Sequence, residues 1–210
     1  PDAPGAPMTA LAFPHDPPLP VPPEQVLVVF AMREEAGGRF DAVRSGVLYT
    51  GVGKVNTAYR FTKALIECRP SLVLDFGTVG SPRFPTHTVV ECTRFVQRDM
   101  DVTPLGLPHG HTPYDDVPGP IDVPHRLRDL PAATCGSGDH FVSGHDTREC
   151  DVVEMEAYAL AKICLLERLP FMAVKYVTDG ADPGAHHDWA ANLPRAAEAF
   201  LAAYRRVTGT

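Results

Sequence analysis

The sequence has no long apolar run, no cationic cluster and no closely spaced cysteines, and each absence removes a class of function. The longest uninterrupted apolar stretch, Val26 to Met32, is far short of the ~20 residues that span a bilayer. No basic segment followed by an apolar one precedes it, so neither a membrane protein nor a secreted one is expected. Lys and Arg number 19 against 26 Asp and Glu, a formal charge of −7. Without a basic stripe there is no electrostatic footprint for nucleic acid or an anionic lipid surface. The five cysteines, at 68, 92, 135, 150 and 164, contain no C-x-x-C and lie at least 14 residues apart. That spacing disfavours a disulfide framework and a zinc finger, and fits a reducing cytoplasm in which the cysteines are small buried apolar residues.

What remains is an ordinary soluble chain of 210 residues, 44% hydrophobic and 21% charged, long enough to bury its own core. Nine of its 22 prolines fall in the first 23 residues. Residues 1–24 therefore read as an extended or disordered lead-in outside the core, and residues 25–210 as a single domain. Val26 to Met32 has the continuous β-branched pattern of a strand covered on both faces, and Leu72 to Gly77 and Phe171 to Asp179 repeat it. Asn56 to Cys68 spaces Ala58, Phe61, Leu65 and Cys68 as one helical face ahead of Pro70. Val153 to Leu169 reads as a second helix and the Ala-rich Trp189 to Val207 as a third. Thr86 to Asp101 reads as one or two strands, Pro104 to Pro131, rich in Pro and Gly, as loop or edge structure of some length, and residues 140–142 as a short strand. Strands alternating with helices predict an α/β fold with a mixed, mainly parallel central sheet flanked by helices.

In such sheets ligands sit beyond the carboxyl ends of the strands. Acids follow three apolar runs: Glu34 and Glu35, Glu154 and Glu156, and Asp179. Each has a plainer reading. Glu34 and Glu35 would favour the positive end of a helix dipole, as would Glu154 and Glu156, and Asp179 suits a turn. Residues two apart on a helix or strand do not face one site, so at most one of Glu154 and Glu156 is expected to touch a ligand. The glycine-flanked turns TGVGK (50–54) and FGTVGS (76–81) offer backbone N–H groups, but TGVGK lacks the spacing of a phosphate loop. Three acids at three strand ends suit acid–base chemistry on a glycosidic bond.

The set AMREE (31–35), TGVGKVNTA (50–58), FGTVGS (76–81), RDMDVTPLG (98–106), SGDHFV (137–142), VEMEAYALA (153–161) and VTDGAD (177–182) resembles, in order and spacing, the 5′-methylthioadenosine/S-adenosylhomocysteine nucleosidases of the purine nucleoside phosphorylase superfamily. The match runs over about residues 26–205. The resemblance implies a nucleoside phosphorylase-like fold and hydrolysis of a purine nucleoside by water, with no metal or organic cofactor. It implies that Glu35 activates the water and Asp179 delivers a proton towards purine N7. Glu156, with Met155, would grip the ribose hydroxyls, and Glu154 would support it. Phe141 would stack on the base, the Val142 backbone would hydrogen-bond it, and Thr78 and Gly80 would line the water and ribose site. Met32 and Trp189 would border the 5′ group. A loop near residues 104–113, carrying Leu105, Leu107 and His109, would complete the neighbouring subunit's pocket in a homodimer.

Independently of the resemblance, cleavage of C1′–N9 leaves an oxocarbenium-like sugar and an anionic purine, which calls for an acid at the base and carboxylates near the sugar. Asp179 must be protonated to donate, so its pKa must be raised by burial or by a neighbouring carboxylate. Two alternatives stand beside hydrolysis: a phosphate-dependent phosphorylase, against which the acids after Arg33 would repel the dianion, and a non-catalytic nucleoside-binding protein. The 5′ loop departs from the family pattern, with leucines where aromatics are usual, and Lys175 replaces a more usual Arg. The 5′ substituent is therefore left open among methylthio, homocysteinyl, deoxy and futalosine-type groups. Trp189 also fits simple helix packing after an N-capping Asp188. His109, His111, His186 and His187 lack metal-ligand spacing and read as pocket or surface residues.

Overall fold

The computed structural model describes residues 12–144 and 150–210. The apolar runs of the sequence become the middle of the sheet. Strands β1 (Val26–Phe30) and β8 (Phe171–Asp179) are buried at every position, and β3 (Leu72–Gly80) at all but two. Successive side chains point to opposite faces, so Leu27 and Val29 join one core layer with Val73 and Phe61 while Val28 and Phe30 join another with Leu74 and Phe200.

Strand β1 pairs in parallel with β2 (Gly46–Tyr49) and with β3, and β3 in parallel with β8. Strand β4 (Val89–Gln97) runs antiparallel to β8 and to the two-residue β5 (Ile121–Asp122), and parallel to β6 (Ala132–Ser137). Strand β6 is parallel to β7 (Val152–Glu154), which meets the far end of β3 antiparallel at Gly80 and Val153. Strands β3, β8, β4, β6 and β7 thus close a ring, with β1 and β2 extending from it. This is the expected mixed, mainly parallel sheet. Helices α2 (Lys54–Glu67) and α3 (Ala157–Leu166) cover one face, and α4 (Ala185–Thr208) the other. Phe30 is fully buried, its ring 4.9 Å from Phe40, 5.6 Å from Phe76 and 5.8 Å from Phe200. A truncation there would cost about 3–5 kcal/mol.

Several local expectations change. The segment beginning at Val153 is not helical throughout: Val152 and Val153 extend as β7, and the chain turns at Met155 and Glu156 before α3. The Glu154 carboxylate explains the turn, because it accepts the N–H groups of Glu156 (2.8 Å) and Ala157 (2.7 Å) and so caps the helix from outside it. Residues 140–142 form no strand; the strand is β6, just upstream. Helix α4 begins at Ala185, so Asp188 lies within its first turn and is not its N-cap. Cys68 is exposed, unlike the other four cysteines, because the helix ends ahead of Pro70 and turns this position outwards. Of the Pro-rich lead-in, residues 1–11 lie outside the described residues. Residues 12–22 form neither helix nor strand, yet Val21 is buried and its N–H donates to Val207 O at 2.8 Å. Val21 thus packs into the core, while the rest of residues 12–22 is exposed or half-buried. No helix among the described residues is long and apolar enough to cross a membrane.

Candidate active site

The carboxyl ends of β1, β3, β7 and β8 open into one cavity of about 280 Å³, near the lower end of the ~300–1,000 Å³ usual for small-molecule sites. Glu35, Glu156 and Asp179, far apart in the chain, all line it, together with Met32, Thr78, Gly80, Phe141, Val142, Met155 and Trp189.

Glu35 arrives on α1 (Arg33–Ala36), the single helical turn after β1. Its Oε1 accepts the Thr78 N–H (2.9 Å) and the Thr78 hydroxyl (2.8 Å), and its Oε2 accepts the Met32 N–H (3.2 Å). Burial pushes the carboxyl's pKa up, against the pull of these donors and of Lys175. The Trp189 indole donates to Thr78 Oγ1 at 2.9 Å, so the one tryptophan braces the residue that holds Glu35.

Asp179 ends β8. Its Oδ2 accepts the Thr178 hydroxyl (2.8 Å) and its Oδ1 the Ala181 N–H (3.0 Å). Burial raises its pKa, those two donors lower it, and the charges of Asp182 and Asp188 raise it further. Gly80 is required here, since a Cβ at that position would stand 2.6 Å from Asp179 Oδ1.

Glu156 occupies the bend between β7 and α3, where its Oε1 accepts the Gly53 N–H at 2.7 Å. Burial, with Glu154 beside it, pushes its carboxyl up to about 9. Both Glu154 and Glu156 line the cavity, although a spacing of two would turn them to different sides of one regular element. The spacing rule assumes one regular element, and the chain changes element between them. Glu154 is committed to structure: besides the two N–H groups above, it takes the Ser137 hydroxyl and lies 3.7 Å from Lys175 Nζ.

Lys175 is buried beneath the site with its ammonium 2.7 Å from Asp75. Burial alone would lower its pKa, but Asp75 and Glu154 hold it well above its ordinary value. Asp75 in turn is raised to about 7 by burial, against the attraction of Lys175.

Leu105, Leu107 and His109 do not line their own chain's cavity; Leu105 and Leu107 are exposed on the loop after β4. Sequence reasoning missed Arg98, Val52 and His140, which also line the site, as does His186, which it read as a pocket or surface residue. The RDMD and SGDHFV motifs contain Arg98 and His140, yet nothing in their spacing shows that they meet. Among the described residues no cluster of His, Cys, Asp or Glu could hold a metal ion.

The sequence profile of the Phosphorylase superfamily matches residues 33–208. A 5′-methylthioadenosine/S-adenosylhomocysteine nucleosidase of Geobacillus kaustophilus (strain HTA426) is 32% identical over 173 residues, 72% of this chain and 73% of the relative. Among solved structures, the nucleosidase of the same description from Helicobacter pylori superposes with a TM-score of 0.77 at 21% identity, covering 88% of this chain and 98% of its own. A futalosine hydrolase mutant of Helicobacter pylori strain 26695 superposes with 0.75, also at 21% identity, covering 85% of this chain and 97% of its own. At that identity the two structures speak to the fold.

Proposed function

The chain belongs to the phosphorylase superfamily, with relatives among its 5′-methylthioadenosine/S-adenosylhomocysteine nucleosidases, and we propose from its site that Glu35, Asp179 and Glu156 carry out hydrolysis of the N-glycosidic bond of a purine nucleoside. The observation that carries this reading is the convergence of these three carboxyl groups on one nucleoside-sized cavity.

Water attacks C1′ as the C1′–N9 bond breaks. Glu35 takes the proton from the water, and its three hydrogen-bond donors fix the carboxylate for that task. Asp179, whose pKa burial raises, gives a proton towards N7, so the base leaves as a neutral purine. Glu156 and Met155 meet the ribose hydroxyls, Thr78 and Gly80 line the water and sugar, Phe141 stacks on the base, and the Val142 backbone hydrogen-bonds it. Met32 and Trp189 border the 5′ group.

Hydrolysis is favoured over phosphorolysis by the fate of the cations. Arg98 is the sole Lys or Arg among the described lining residues, and its two terminal nitrogens are engaged by the loop, Nη2 with the Gly138 and His140 carbonyls and Nη1 with the His140 ring. Arg33 instead lies over the Tyr49 ring, 4.4 Å from its centroid. Among the described lining residues, a phosphate dianion would meet Glu35 with no uncommitted cation to balance it.

A homodimer completes the pocket in this reading, with Leu105, Leu107 and His109 of the loop near residues 104–113 closing the neighbour's 5′ end. The exposure of Leu105 supports it, as does that of Val55, Tyr59 and Ile66 on α2. The test is purine release from 5′-methylthioadenosine, S-adenosylhomocysteine, 5′-deoxyadenosine, adenosine, inosine and futalosine, with and without phosphate. Release of free base in phosphate-free buffer is expected; release that requires phosphate would overturn the reading.

A further inference from the structure

The wall assigned to the purine is a loop. Residues 138–142 form no helix or strand; the Gly138 N–H still continues the sheet pairing by donating to Glu154 O at 3.1 Å, and beyond it the loop's backbone groups must find partners outside the ladder. A stacking ring on such a segment is placed no better than the groups that support it.

The support comes from two consecutive residues at the end of β4. Arg98 is only 3% exposed. Its own N–H continues the sheet pairing by donating to Ser137 O at 2.9 Å. Its guanidinium then folds under the loop, where Nη2 donates to Gly138 O (3.1 Å) and His140 O (2.6 Å), and Nη1 lies 2.8 Å from His140 Nε2. The same Nη2 reaches Glu154 O at 3.5 Å, touching the strand that leads to Met155 and Glu156. Asp99 takes the group of opposite polarity, accepting the Asp139 N–H at 2.8 Å while its other oxygen pairs with Lys54 Nζ. Asp139 is fixed from a third side, its Oδ1 accepting the Lys54 N–H at the start of α2 (2.8 Å). A carbonyl, an N–H and a carbonyl of three successive loop residues are thus held by one dipeptide, immediately before Phe141 and Val142.

The surrounding glycines are fitted to this arginine. A Cβ at Gly138 would stand 2.8 Å from Arg98 Cζ, and one at Gly136 would stand 3.2 Å from Arg98 Cδ and 2.5 Å from Cys150 Sγ. Only with glycine at both positions is the path of the side chain open. A planar fork with several donors suits this geometry, whereas an ammonium is a point charge on a flexible stem.

We propose that Arg98, with Asp99, is a positioning residue for the purine-stacking loop, setting the place of Phe141 and Val142 through the loop backbone it holds. This rests on the assignment of that loop to the base.

The experiment titrates free adenine into the wild type and into Arg98→Lys, Arg98→Met, Asp99→Asn and Gly138→Ala, following Trp189 fluorescence, and measures kcat and KM for 5′-methylthioadenosine on each. In Arg98→Met we expect adenine binding to weaken about tenfold and KM to rise in step while kcat falls less than about threefold, the signature of lost preorganisation in binding. Arg98→Lys should recover little of this. Gly138→Ala, which keeps the arginine but displaces it, should behave like Arg98→Met, and Asp99→Asn should lie between. If Arg98→Met does not fold, the last two variants carry the test. Folded variants that bind adenine as the wild type does, or that lose kcat with KM unchanged, overturn the proposal. A wild type that neither binds adenine nor releases a purine fails differently, because it removes the purine assignment itself.

Discussion

Replacing Glu156 by Gln should make the protein more stable and less active, and the size of the gain follows from the carboxyl's surroundings. Burial and the adjacent Glu154 raise Glu156 from an ordinary 4.5 to about 9 in the folded chain. Below pH 4.5 the carboxyl is protonated whether the chain is folded or not, and its titration costs nothing. Between 4.5 and 9 the unfolded chain releases a proton that the native chain keeps, so stability falls as pH rises. At pH 7.5 three pH units of this window have been crossed, and at about 1.36 kcal/mol each the penalty reaches about 4 kcal/mol. Glutamine does not titrate and still offers an oxygen to the Gly53 N–H. Allowing for imperfect hydrogen bonding by the amide, we expect Glu156→Gln to be about 2–4 kcal/mol more stable than the wild type at pH 7.5 and nearly equal to it at pH 4.5. Urea unfolding followed by circular dichroism at several pH values measures both points. Parallel pH dependences of the two proteins, or a variant less stable at pH 7.5, would refute the reasoning. In the same samples kcat/KM should fall and discrimination against 2′-deoxyribose should weaken, since the group removed is the one assigned to the ribose hydroxyls.

Asp179→Asn cannot donate a proton to the leaving base, and turnover should fall about 10²–10⁴-fold with the fold intact by circular dichroism; near-normal turnover would remove its role. Glu35→Gln should lose turnover on a similar scale, and added phosphate should not restore it; rescue by phosphate would point to phosphorolysis. The alkaline limb of the pH–rate profile should follow Asp179, which must be protonated to act and which Asp188 helps to hold high. Asp188→Asn removes a negative charge and should move that limb to lower pH by a few tenths of a unit, an exposed charge contributing about 0.5 kcal/mol; a shift to higher pH would contradict the assignment.

The architecture could be read from the sequence because it is written in local patterns. Continuous β-branched runs gave β1, β3 and β8, a three- and four-residue apolar spacing gave α2, and polar residues directly after those strands were marked for chemistry by the general geometry of α/β sheets. Glu35, Glu156 and Asp179 were therefore nameable as candidates in advance, and the family resemblance supplied their roles. Tertiary structure decided what local pattern could not. Glu154 and Glu156 share a cavity because a carboxylate caps the helix and bends the chain between them. Trp189 braces Thr78, and through it Glu35, from a helix 111 residues away. Lys175 lies under the site because Asp75 and Glu154, on two other strands, compensate its charge. Arg98 carries no local sign of its role, which depends on carbonyls 40 and 42 residues ahead and on glycines that leave it room. Apolar periodicity is a property of neighbours in the chain, whereas the burial of a polar or charged group is permitted only by its partners, and those are chosen by the fold.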